Sequence, residues 1–298
     1  MRARVPASAA NLGPGFDTLA VALDRYVEVE IEPAGKLLVR AEGEGAGLSD
    51  DASHLAARVA IDVAGTERLA ITVRSQVPVA RGLGSSAALA VAAAAAAGAK
   101  DPLAVAAQTD GHADNAAAST VGGLVAAARV HGRVHAVRMP LDISLAFVAI
   151  IPDVVLSTAR ARQVLPVEVS RDSAAFNLSR MALLLAGLAD CRVLVPEATE
   201  DRLHQDYRSP LFPAAPKLLA SMSQAGALAV CWSGAGSTLL GICRSTETPS
   251  VEAAATVALA DAGITGEVAV LHPDMHGLVL DRDGTGAVLD VDVFEPLP

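Results

Sequence analysis

The stretch Pro78-Val-Ala-Arg-Gly-Leu-Gly-Ser-Ser-Ala-Ala88 decides how the chain is read. A strand-like run, Leu69 to Val73, ends before Pro78. Two glycines and two serines then lead into Ala87 to Ala97, a run without a polar residue. As a helix that run has no polar side, so it must be buried all round. Glycine lets the backbone take positive φ and come close to a ligand. The N-terminus of the following helix offers unpaired N–H groups and the positive end of a dipole. Serine hydroxyls there can cap the helix or reach a metal ion. Pro78, Arg81, Gly82, Leu83, Gly84, Ser85, Ser86 and Ala87 together read as an anion cradle. A glycine turn followed by a serine-capped helix is the plainer reading of the same residues. The stretch is no Walker A loop, because GxxxxGK[ST] is absent and no lysine stands between Lys36 and Lys100.

Composition bounds the rest. A length of 298 residues allows two domains or one large unit. Hydrophobic residues at 52% and charged residues at 19% exclude a disordered or fibrous chain. A formal net charge of −10 argues against nucleic acid or an anionic membrane as partner. It does not exclude a local phosphate site built from backbone N–H groups. The cysteines, Cys191, Cys231 and Cys243, form no CxxC pair and fit buried thiols in a reducing compartment. The N-terminal MRARVPASAANLGPG has no apolar core of a signal peptide. The Ala87 to Ala97 run falls well short of the roughly 20 residues of a membrane span. A cytoplasmic protein is expected, with homodimerisation left open.

Val27, Val29 and Ile31 alternate with glutamates as in a half-exposed strand, and Leu37 to Ala41 is expected to pair with it across Pro33-Ala34-Gly35. Ser53 to Ala64 and Asp172 to Leu188 read as amphipathic helices, Ile143 to Ile151 as a buried strand. Helices and strands mix without strict βαβ alternation, which predicts α+β. The domain boundary is expected at Pro152, giving 1–152 and 153–298. His131 and His135 are separated by Gly132, and His272 and His276 by Pro273, so neither pair reads as a metal site.

Two more segments extend the argument, Pro6-Ala-Ser-Ala-Ala-Asn-Leu-Gly-Pro-Gly-Phe-Asp17 and Ser233-Gly-Ala-Gly-Ser-Thr238. With the first stretch, and in this order, they resemble the three motifs of the GHMP small-molecule kinases. Asp110-Gly-His-Ala-Asp-Asn115 followed by Gly122-Gly123 resembles the homoserine-kinase branch. So do Ser157-Thr-Ala-Arg-Ala-Arg-Gln-Val-Leu-Pro166 and Asp201-Arg-Leu-His-Gln-Asp-Tyr-Arg208 with Pro213. The resemblance runs from Arg4 to at least Cys243.

That resemblance implies an N-terminal domain of the ribosomal-protein-S5 type with a left-handed βαβ crossover, and a ferredoxin-like C-terminal domain. ATP and L-homoserine would meet in the cleft between them, with Mg²⁺ as cofactor. Gly234 and Gly236 would join the phosphate loop. Ser86 and Asp110 would serve the metal, although the family usually carries Glu where this chain has Asp110. Asp17 and Asp114 would take the substrate ammonium, and Arg208 its carboxylate, for which a guanidinium fork is suited. Asn11, His112 and Asn115 would fix orientation by neutral hydrogen bonds. Thr158 and Arg162 would lie near the reacting hydroxyl and complete the catalytic set with Asn115. The resemblance implies no dedicated protein base, so positioning carries the phosphoryl transfer. A mevalonate- or sugar-type kinase, or a non-catalytic binding protein of this fold, are the alternatives. The HxDN segment with Arg162 and Arg208 suits an amino acid.

Overall fold

The computed structural model describes residues 1–110 and 113–281, apart from the Asp110 side chain. The chain opens with β1 (Arg2–Asn11), the long β2 (Gly15–Pro33) and β3 (Leu38–Gly43). Then come α1 (Leu55–Ala64), β4 (Leu69–Ser75), α2 (Ser85–Ala96), α3 (Pro102–Asp110) and α4 (Ala113–Val121). A hairpin follows, β5 (Leu124–Val130) and β6 (Arg133–Met139), and then β7 (Leu145–Pro152). The remainder is α5 (Thr158–Gln163), α6 (Arg171–Ala189), α7 (Gln205–Arg208), α8 (Ala215–Gln224), β8 (Ala229–Trp232), β9 (Leu239–Arg244), α9 (Thr248–Asp261), β10 (Gly266–Leu271) and β11 (Val279–Asp281).

Two sheets organise these elements, as α+β predicts. The first runs β11-β1-β2-β4-β3, with β5 and β6 added along β2. Strand β3 pairs with β4 in parallel and does not form the expected hairpin with β2. The crossover through α1 lets β4 take the place beside β2, whose Val27, Val29 and Ile31 lie opposite Ser75, Val73 and Ile71.

The second sheet runs β10-β7-β9-β8 with every pairing antiparallel. With α8 and α9 as its connecting helices, this is the ferredoxin-like arrangement that the resemblance implies. Sheet membership cuts the chain differently from a boundary at Pro152. Strand β7 belongs with the second sheet, and β11 returns to the first. A turn at Pro152 closes a strand but carries no information about which sheet that strand joins.

Strand β7 explains its unbroken apolar run. Phe147, Ala149 and Ile151 face the main core, while Val148 and Ile150 face a second core under α8 and α9. Both faces are covered, so both alternate sets are apolar. Helix α2 meets the same demand in three dimensions: Ala87, Ala88 and Ala90 to Ala96 are all buried. Alanine lets the backbones of α1, α3, α4, β1 and β2 approach it closely. That clamps the N-terminus of α2 in place. No helix among the described residues is long and apolar enough to cross a membrane, and the three cysteines are free and buried.

Candidate active site

The three motifs converge. Ser8 donates its backbone N–H to the Leu83 carbonyl at 3.1 Å and its hydroxyl to Asn115 Oδ1 at 3.0 Å. Asn11 Nδ2 donates to the Gly234 carbonyl at 2.8 Å, and Gly234 N–H to the Ala10 carbonyl at 2.9 Å. Ser233 Oγ donates to the Gly82 carbonyl at 2.6 Å. Three loops far apart in sequence thus share one hydrogen-bonded seam.

Glycine is required along that seam. Gly84 has φ +67°, and a Cβ there would run into Ser8 Oγ and stand 2.9 Å from Asn115 Oδ1. Gly82 has φ +86°, and its Cβ would run into the Ser233 carbonyl. Gly84 is the N-cap of α2 and supplies no side-chain cap. The expected serine cap is therefore not used, and α2 begins at the cavity with its N-terminal end turned to it, the end of a helix that suits an anion.

Beside this seam lies a cavity of about 290 Å³. It collects Asn11, Asp17, Gly82, Gly84, Ser85, Ser86, Asp114, Asn115, Thr158, Arg162, Arg208, Gly234 and Gly236. Pro78, Leu83 and Ala87 are buried behind it. Arg81 does not line it; its Nη1 donates to the Pro152 carbonyl and holds the loop against β7. His112 and the Asp110 side chain lie outside the described residues. Sequence reasoning missed Ala80, with φ +55°, and Leu156, which also line the cavity.

The charges gather at one end. Arg162 Nη2 meets Asp17 Oδ1 at 2.7 Å, and both side chains are about two-fifths exposed. Asn11 Oδ1 accepts from the Asp17 N–H at 3.0 Å, with Asn11 and Asp17 both at positive φ. Asp114 is buried and accepts the Asn115 N–H at 2.7 Å. Arg208 is only 2% exposed. Its Nη1 donates to the Gly234 carbonyl at 2.9 Å and to His204 Nδ1 at 3.0 Å. The rings and cations stack: the Arg162 and Arg208 guanidiniums lie 5.7 and 5.6 Å from the Phe16 centroid. Burial, and then the Arg162 charge, bring Arg208 down to about 10, which leaves it a cation at neutral pH.

A second, apolar pocket of about 110 Å³ adjoins the first and shares Val79, Ser85 and Ser86 with it. Val27, Leu48, Val73 and Leu89 line it, with His54 at its edge. His54 Nδ1 accepts the Ala56 N–H at 3.2 Å and so caps α1, and burial holds its pKa below the usual value.

The GHMP kinases N terminal domain matches residues 51–123, and the GHMP kinases C terminal domain residues 177–260. This chain belongs to the GHMP kinase family. A homoserine kinase of Moorella thermoacetica is 39% identical over 292 residues, covering 93% of this chain and 98% of its own length. A homoserine kinase of Thermus thermophilus is 38% identical over 258 residues, covering 83% and 88%. Among solved structures, a homoserine kinase from Cytophaga hutchinsonii superposes with a TM-score of 0.82 at 26% identity, covering 93% and 96%. The mevalonate kinase of L. major, with a TM-score of 0.68 at 14% identity and coverage of 92% and 96%, shares the fold. Of the three loops that meet at the cavity, 78–88 lies within the first matched domain and 233–238 within the second.

Proposed function

We propose that this chain is a homoserine kinase, transferring the γ-phosphoryl group of ATP to the hydroxyl of L-homoserine to give O-phospho-L-homoserine, a step of threonine biosynthesis in the cytoplasm. One observation carries this reading. A single cavity combines a backbone-built anion cradle with two acids and two arginines. Homoserine brings an ammonium, a carboxylate and a hydroxyl, which match that charge set. A sugar brings no charge, and mevalonate no cation, so neither offers Asp17 and Asp114 a cationic group to bind.

In this reading the phosphates lie over Gly82, Gly84, Ser85 and the start of α2. The apolar pocket beyond Val79 takes the base. Mg²⁺ fits the donor set, since Ser86 lines the cradle and the available ligands are oxygens, which suit a hard cation. Ser86, with Asp110 at the end of α3, would hold the ion, which would neutralise phosphate charge when bound. Arg208 holds the carboxylate, and Asp114 with Asp17 the ammonium. Thr158 and Asn115 orient the hydroxyl, and Arg162 leaves Asp17 as the ammonium arrives.

Asp17 and Asp114 are the acids among the described lining residues, which include no histidine or lysine. Asp17 is ion-paired and Asp114 is assigned to the ammonium, so no dedicated base is assigned. The alcohol proton passes to the transferring phosphoryl group, and alignment supplies the rate. We place the division between the two bodies ahead of Leu145, with β11 counted in the first. A coupled assay of ADP release across homoserine, mevalonate, galactose and shikimate tests the reading. Turnover on homoserine is expected, and a preference for any of the other three overturns it.

A further inference from the structure

His204 does not line the cavity, yet it touches two of the segments that carry the cavity's charges. It is fully buried. Its Nδ1 stands 3.0 Å from Arg208 Nη1 and its Nε2 stands 2.7 Å from the Gly13 carbonyl. Arginine has donors and no acceptor, so Nδ1 must present a bare lone pair. The ring proton therefore sits on Nε2 and is donated to Gly13. Gly13 belongs to the turn that carries Asn11 and Asp17, and a Cβ on it would run into the Thr199 carbonyl, so the turn has no room to slide. Phe16, in the same turn, stacks on the imidazole with centroids 5.2 Å apart. The backbone of His204 is fixed as well, because Asp201 accepts its N–H at 3.0 Å and that of Gln205 at 2.7 Å.

The consequence falls on Arg208. Its described hydrogen bonds use Nε, to the Ala161 carbonyl at 3.4 Å, and Nη1, to His204 and Gly234. The end left to meet a ligand is Nη2. A two-pronged grip on a carboxylate, the ordinary expectation for a guanidinium fork, would require Arg208 to release His204 or Ala161. We propose that His204 is a positioning residue. It ties the Asn11–Asp17 turn to Arg208 and fixes the rotation of the guanidinium, so that Nη2 is presented to the substrate carboxylate. Burial keeps the imidazole neutral, with a pKa of about 4, so the lone pair persists at working pH. The proposal deepens the reading of the cavity as an amino-alcohol site and rests on it.

The test compares catalytic efficiency on homoserine with that on 3-amino-1-propanol, which lacks the carboxylate. His204→Asn keeps an acceptor near the Nδ1 position and gives up the bond to Gly13. His204→Gln keeps a donor near Gly13 and gives up the acceptor toward Arg208. His204→Gln should narrow the preference for homoserine at least about tenfold, through the homoserine KM, with the ATP KM unmoved. His204→Asn should hold the preference within about threefold of wild type. A folded His204→Gln protein with wild-type preference overturns the proposal. So does a parallel rise in the ATP KM, or an asparagine variant that loses as much as the glutamine one. If His204→Gln does not fold, His204→Ala, which also removes the acceptor toward Arg208, takes its place under the same outcomes. A wild-type protein that releases no ADP on homoserine overturns the underlying reading and this proposal together. An active wild type with unmoved variants overturns this proposal alone.

Discussion

The two ends of the cavity are built from different materials. The end proposed for the phosphates is backbone: Gly82, Gly84, Gly234 and the start of α2. The end proposed for the amino acid is side chain: Arg208, Asp114, and Arg162 with Asp17, with Phe16 and His204 against Arg208. A backbone site has nothing to remove, so it is broken by adding atoms. A side-chain site is broken by taking atoms away, and its parts fail separately.

Gly84→Val should cause the largest loss, abolishing measurable ATP binding, since the added Cβ meets Ser8 and Asn115 and φ is +67°. Because Ser8 also ties β1 to this loop, the melting temperature should fall too. Gly98, with φ +91° and open space around its Cβ position, supplies the contrast: Gly98→Ala should leave ATP affinity alone. A folded Gly84→Val protein that binds ATP normally would remove the cradle assignment.

Arg208→Ala comes next. Leaving a substrate carboxylate desolvated without its partner costs about 2–5 kcal/mol, read as a raised homoserine KM with an almost unchanged ATP KM. Asp114→Asn should act alike through the ammonium. On Arg208→Ala, 3-amino-1-propanol should lose little beyond homoserine, since the missing interaction is the same one. Equal further loss on mutant and wild type would separate Arg208 from the carboxylate.

Asp110→Asn should lower activity at limiting Mg²⁺ at least about tenfold, or about 1.4 kcal/mol, with Asp110→Glu close to wild type. Full activity of the asparagine variant would make Asp110 a solvated acid.

The smallest effect on turnover concerns pH and shows in stability. His204 and His54 are both held below their ordinary pKa by burial, His204 at about 4. The unfolded chain therefore takes up these protons first. Their contribution is complete above the unfolded value of 6.5 and is lost as pH falls toward that of the folded state. Melting temperature should drop on the order of 5 °C between those limits, and His204→Asn should flatten the slope. An equal slope in that variant would place the titration elsewhere.

The same contrast explains what was legible. Glycines at Gly82 and Gly84 announce a backbone constraint locally, and the all-apolar run after them announces a buried helix. Of the second sheet the sequence marks β7, by its apolar run, while the ferredoxin-like order is what the resemblance implies. Ser8 and His204 carried no local signal, because their roles are bonds to residues far along the chain, Asn115 at one end and Gly13 at the other. The pairing of β3 with β4 was hidden for a related reason. A turn such as Pro33-Ala34-Gly35 announces a reversal, but it does not say which strand will arrive later and take the central place.

The return of β11 to the first sheet sets an order in time. Arg2, Ala3 and Arg4 pair on one side with Glu30, Val29 and Glu28 and on the other with Asp281, Leu280 and Val279. During synthesis the second partner is the last described strand to leave the ribosome. Until then the outer edge of β1 shows unpaired N–H and C=O groups, a template for any passing strand. Arg2 and Arg4 stand on that stretch, charged residues of the kind that discourage pairing at a sheet edge.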